Sequence, residues 1–152
     1  DVAARQSRTT HGAPEAVDAC IAYAEVLSNA IAGVPRSSVC RISGEPGSDA
    51  IRSIMAGSWR GQSREVIRSS GYVVHALEAA LWCVGRTGTF VDAVLLAANL
   101  GEDADTTAAI TGQLAGALYG AEGISSAWRD QLAWGERISQ TANRLFEASL
   151  VT

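Results

Sequence analysis

The run GEDADTTAAITGQLAGALYG, residues 101–120, restricts the possible folds of this chain more than any other stretch. Gly112, Gly116 and Gly120 recur at a spacing of four, so they share one side of any α-helix built here. Each glycine costs about 1 kcal/mol relative to alanine in a helix interior. A helix that tolerates this is expected to have another helix backbone packed very close along its small-residue face. The spacing is also that of paired membrane helices, but Thr111 and Gln113 and the shortness of the run favour a buried helix of a globular body. Nowhere does the chain alternate apolar and polar residues as a half-buried strand does, so the expected fold is all-α.

The neighbours of that helix can be read from their punctuation. Pro14 suits a first helical turn, where its missing N–H costs nothing. Val17, Cys20, Ala24, Leu27 and Ile31 then recur at helical spacing until Gly33 and Pro35 stop the pattern. Residues 34–48 read as a loop, with short helical pieces over 49–56 and 63–69. Val74, Leu77, Leu81 and Val84 make the apolar face of a helix that follows Gly71 and ends at Gly85. Thr89 caps the next, with Asp92 near the capping-box position and Val91, Val94, Leu95 and Ala98 facing inward. A last helix over 126–149 carries Trp128, Leu132, Leu145 and Phe146 as apolar anchors, and Trp82 and Trp128 are expected in the core.

Composition narrows the class. With 152 residues, 47% hydrophobic and 18% charged, the chain fits one soluble domain over 1–152 that can bury a real core. A net charge of −4 with no basic stripe disfavours nucleic acid as a partner. Lys is absent, so Arg carries all the positive charge. The three cysteines, Cys20, Cys40 and Cys83, have no metal-ligand spacing and suit a reducing, cytoplasmic setting. No apolar run is long enough to cross a bilayer, and no membrane association is expected. The opening DVAARQ has no initiator Met and reads as the tail of a helix already under way, which suggests a segment of something longer.

Asp103, Asp105 and Thr106 crowd the mouth of the glycine-lined helix. One reading is capping: Asp105 closes the helix start, worth about 1 kcal/mol, and Asp103 is solvated. The other is cation binding, because two carboxylates and a hydroxyl are hard oxygen donors suited to Mg²⁺, Mn²⁺ or Ca²⁺. The residue pattern by itself leaves both open. An EF-hand is excluded, since its ladder of ligands and terminal Glu are missing. Three oxygens do not fill the shell of such an ion, so further ligands would have to come from outside this chain.

The words of this stretch resemble the C-terminal signature of the ADP-ribosylglycohydrolase family. Gly101, Asp103, Asp105, Thr106, Gly112, Gly116 and Gly120 match its Gly-x-Asp-x-Asp-Thr loop and small-residue helix. SRTTHGAPEAVDAC (7–20) is similar to its Ser-x-x-Thr-His segment and SSGYVVHALEAALW (69–82) to its Ser-Gly-Tyr helix start, in the family's order. The resemblance implies the C-terminal segment of an orthogonal all-helical hydrolase that removes ADP-ribose from a modified acceptor at a two-ion Mg²⁺ or Mn²⁺ centre. It assigns the metal to Asp103, Asp105 and Thr106, and the ADP-ribose pocket to His11, Gly71, Tyr72 and Gly101. His75 falls where the family does not require His and is read as structural or exposed; His11 and Tyr72, taken alone, would be a surface residue and a half-buried aromatic.

The family's N-terminal Gly-Asp segment, Thr-Asp-Asp-Thr ligand set and Gly-Asn-Gly-x-x-Met-Arg stretch have no counterpart in these residues, and Ile124-Ser125 stands where Ile-Pro is common. The general acid/base is therefore expected in that N-terminal segment, as part of the same protein or a separate chain, and these residues alone are expected to be inactive. Glu102 is expected to point away from the aspartates. Two rivals remain: a non-catalytic interaction protein of the same fold, and a phosphate-processing hydrolase with an Asp-x-Asp pair on a parallel sheet, which the absence of strands disfavours.

Overall fold

The computed structural model describes residues 2–150, and these are helices joined by loops, with no strand among them. The expected all-α architecture is what the chain adopts. Helix α1 is Val2–Ser7; Asp1, with which the expected opening helix began, lies outside the described residues. Helix α2 spans Pro14–Ile31, with Pro14 in its first turn and Gly33, at φ +78°, just past its end. Helix α3 is Asp49–Ala56, closed by Gly57 in the left-handed region.

Helix α4 (Val73–Arg86) is the axis of the molecule. Ala76, Leu77 and every residue from Ala79 to Val84 are buried, so its apolar face is broad and only the His75, Glu78 and Arg86 side is polar. Helices α5 (Phe90–Ala98) and α6 (Ala104–Tyr119) pack against it and against each other, and α2 lies across α4 and α6. Thr89 caps α5 as expected: its hydroxyl oxygen accepts the Asp92 N–H at 3.1 Å and its O–H donates to the Asp92 carboxylate at 2.7 Å. A short 3₁₀ turn over Ala121–Gly123 leads to α7 (Ser126–Arg129) and α8 (Gly135–Ser149).

Several expectations need correction. Residues 63–69 are not helical. The segment is held by distant partners: the Arg64 side-chain guanidinium donates to the Leu100 carbonyl, and the Ser69 carbonyl accepts the Asp103 N–H at 3.0 Å. Such pairing is invisible to local periodicity. The expected helix over 126–149 is two helices, because Trp134 sits at φ +60°, a conformation no right-handed helix contains. Leu132, Leu145 and Phe146 are exposed rather than anchored, and Trp128 lies outside the core, its ring edge-on to Phe90 at 6.3 Å, whereas Trp82 is buried as expected.

Two helices match the expected inward face only in part. Helix α2 buries the expected Val17 and packs Leu27 against the core, but it also buries Ala19, Ala22, Val26 and Ala30 and exposes Ala24 and Ile31. Helix α5 packs the expected Val91 and Val94 against the core, but it buries Phe90, Ala93 and Ala97 and exposes Leu95 and Ala98. Gly85 does not end α4 either. A Cβ on it would meet the Trp59 ring at 2.4 Å, so its smallness admits that indole.

Candidate active-site wall at three helix starts

Three helix N-termini, those of α2, α4 and α6, lie at one end of the bundle: Tyr72 at the start of α4 meets Glu15 in the first turn of α2, and Gly71 abuts Asp103 at the start of α6. Asp103 is the N-cap residue of α6, yet its carboxylate makes no capping hydrogen bond. Its backbone holds the structure instead. The Asp103 N–H donates to Ser69 at 3.0 Å, and its carbonyl accepts the Thr107 N–H at 3.1 Å as the first bond of the helix. The carboxylate is left half-buried and free for another partner.

Asp105 and Thr106, in the first turn of α6, are exposed, while Thr107 is wholly buried. The approach to this turn is sharply bent: Gly101 and Glu102 are both in the left-handed region, at φ +81° and +53°. Nothing lies within 4 Å of a Cβ built on Gly101, so glycine serves the backbone bend there rather than a close contact. Glu102 turns to Arg68 at 3.5 Å, consistent with its expected orientation away from the aspartates. The capping reading of Asp105 receives no hydrogen bond in support.

The 69–72 loop is fastened to this turn. Besides accepting from Asp103, Ser69 donates its hydroxyl to the Gly101 carbonyl at 2.7 Å. A Cβ on Gly71 would lie 3.3 Å from Asp103 Oδ2, so Gly71 allows close approach of that carboxylate. Tyr72, the N-cap residue of α4, is exposed, and its ring meets the His75 edge at 5.1 Å. His75 Nδ1 lies 2.7 Å from Ser70 Oγ, so His75 braces the loop and the tyrosine together. The Tyr72 phenol is pushed up from its ordinary value, first by loss of solvent around it and then by its hydrogen bond to and the negative charge of Glu15, in the first turn of α2.

His11 lies in the loop that feeds α2, exposed, with Nδ1 3.0 Å from the Thr10 hydroxyl. Its backbone is pinned on both sides, the N–H donating to Ser7 at 2.8 Å and the carbonyl accepting the Ser7 hydroxyl at 3.2 Å. Sequence reasoning gave no role to Glu15 or to the Ser69 pairings, whose partners lie far along the chain, and none to Ser70 beyond its place in the Ser-Gly-Tyr start. His75 alone carried a hint, standing three residues beyond Tyr72 and so on the same side of a helix start.

As a cation site this wall is half of one. Asp103, Asp105 and Thr106 offer oxygens of the right kind, and the uncapped Asp103 carboxylate has no competing partner. Among the described residues, however, no group of three or more acidic, His or Cys side chains gathers at one point. The residues present fit an ion that takes further ligands from elsewhere.

The chain is similar to known proteins in sequence and in fold. The family model for ADP-ribosylglycohydrolase matches residues 1–151. The chain is 46% identical to ADP-ribosylarginine hydrolase Tri1 of Pseudomonas putida (strain GB-1) over 149 residues, which cover 93% of this chain and 38% of that protein. It is 47% identical over 141 residues to the protein of the same name from Serratia proteamaculans (strain 568), again covering 93% of this chain and 38% of the relative. To the ADP-ribosyl-[dinitrogen reductase] glycohydrolase of Rhodospirillum rubrum it is 32% identical over 127 residues, 84% of this chain and 41% of that one. A solved structure described as an ADP-ribosylglycohydrolase-related protein complex superposes with a TM-score of 0.79 at 37% identity, over 88% of this chain and 47% of the other. The chain thus spans about two fifths of the length of the curated relatives it matches. It belongs to the ADP-ribosylglycohydrolase family.

Proposed function

We propose that this chain supplies one wall of a metal-dependent active site that hydrolyses the bond between ADP-ribose and a modified side chain, and that the acceptor is arginine. The carrying observation is the free Asp103 carboxylate: it occupies an N-cap position, declines the capping bond, and is abutted by Gly71. The two relatives named for ADP-ribosylarginine, at 46% and 47% identity, support arginine over other acceptors.

Asp103, Asp105 and Thr106 would hold Mg²⁺ or Mn²⁺, together with carboxylates from the remainder of the domain, which would also provide the general acid/base. Bound ions of this kind anchor hydroxyls and make hydroxide available near neutral pH. The chain's own residues do the rest by position. The clustered helix starts favour anionic groups such as a pyrophosphate. The exposed Tyr72 ring, set by His75 and Glu15, offers a face for stacking; Gly101 is tied to the same loop through Ser69, and His11 lies in the loop that leads into α2. The three cysteines are free, which supports a reducing, cytoplasmic setting. No helix is long and apolar enough to cross a membrane among the residues described.

The test is a graft in which this chain replaces the matching residues of the Pseudomonas putida relative. With Mn²⁺ and an ADP-ribosylarginine substrate, ADP-ribose release is expected, and Asp103→Ala or Asp105→Ala should lower it by about 100-fold or more. A folded graft without release, or variants with undiminished release, would leave only a non-catalytic member of the fold.

A further inference from the structure

Helix α8 is the anomaly of the molecule. On a helical projection Trp134, Ile138, Ala142, Leu145 and Phe146 fall within about 120° of arc. Glu136, Gln140, Asn143 and Glu147 occupy the opposite side. A helix patterned in this way is built to lie on an apolar surface. Yet Trp134 is 77% exposed, Leu145 68%, Phe146 54% and Ile138 49%, and among the described residues α8 packs substantially against no other helix. Beside it Leu132 and Trp128 are also exposed. Large contiguous apolar patches on a protein surface mark interaction sites.

We infer that the apolar side of α8 is the docking face for the part of the ADP-ribosylglycohydrolase domain that lies outside these residues. The family match runs through α8, to residue 151, so its counterpart in relatives belongs to the domain itself. Those relatives have more than half their length beyond the matched part, since the chain covers 38–41% of them. A surface in the same polypeptide reaches α8 at a high effective concentration that a separate partner does not match. A membrane surface fits poorly. The helix carries Glu136 and Glu147 against Arg137 and Arg144, a balanced set rather than the basic face that anionic lipid selects.

This inference rests on the functional reading above only in taking the remainder of the domain as the missing wall, and its test separates the two. In the graft described above, α8 amides are expected to be protected from hydrogen exchange. Ile138→Asp with Leu145→Asp should remove that protection and lower the thermal midpoint by about 5 °C or more. Gln140→Asp on the polar side should do neither. Unprotected α8 amides in the graft, or protection indifferent to the double variant, would overturn the proposal. So would a dimer of this chain alone that protects α8 and is lost in the double variant, for a second copy would then be the occupant. A graft with protected α8 and no ADP-ribose release sinks the activity and leaves the docking face standing; release with exposed α8 does the reverse.

Discussion

Cys83 shows how far burial alone changes a side chain's chemistry. It is wholly inaccessible in α4, and desolvation pushes its thiol from an ordinary value of 9.0 up to about 12, with the positive charge of Arg64 offsetting part of the rise. The sign of the consequence follows from proton counting. Below pH 9 the thiol is protonated whether folded or unfolded, and stability does not depend on it. Between pH 9 and 12 the unfolded thiol loses its proton while the folded one keeps it, so stability falls as pH rises. Urea unfolding at stepped pH should show this loss, and Cys83→Ala, though less stable at pH 7, should show a shallower one. At the same scale, Asp103 and Gly71 matter through what each leaves free: a carboxylate without a cap bond, and the space beside it.

Among the elements, α6 departs most instructively from expectation. Its glycines do not admit a helix backbone: a Cβ on Gly112 would lie 3.7 Å from Val94 and 4.0 Å from Phe90, and one on Gly116 3.8 Å from the Phe90 ring. These are ordinary contacts with α5 side chains. Gly120 is no part of the stripe; at φ +72° and ψ 174° it ends the helix in a conformation reserved for glycine. The shared spacing therefore hides opposite outcomes. Gly112→Ala should raise stability by up to about 1 kcal/mol, through helix propensity. Gly120→Ala should lower it by about 1–3 kcal/mol. Thermal or urea denaturation of the two variants checks both signs.

On the scale of the whole molecule, the core closes around α4, while the acidic mouth and α8 remain open. The mouth offers too few oxygens to satisfy a divalent ion. Calorimetric titration of Mn²⁺ into the 152-residue chain is expected to show binding weaker than micromolar, and tight binding only with the remainder of the domain. Micromolar or tighter affinity in the chain alone would show that the wall needs no partner.

What the sequence determined by itself was local. Pro14, Gly33 and the Thr89–Asp92 pair placed helix ends, because capping and backbone preference act within a few residues. The acidic loop and the Ser-Gly-Tyr turn were legible as a site because their words are contiguous. Tertiary structure decided everything that needed two segments at once. It brought Ala19, Ala22, Ala93 and Ala97 inward beside the larger Val17, Val26 and Phe90, since close approach of helices rewards small size. It held 63–69 as a loop by pairing the Arg64 side chain with Leu100 and the Ser69 carbonyl with Asp103, and it set Gly71 against Asp103 and Glu15 against Tyr72. Hydrogen bonds and contacts between distant segments leave no periodicity in either segment, so only the folded chain reveals them.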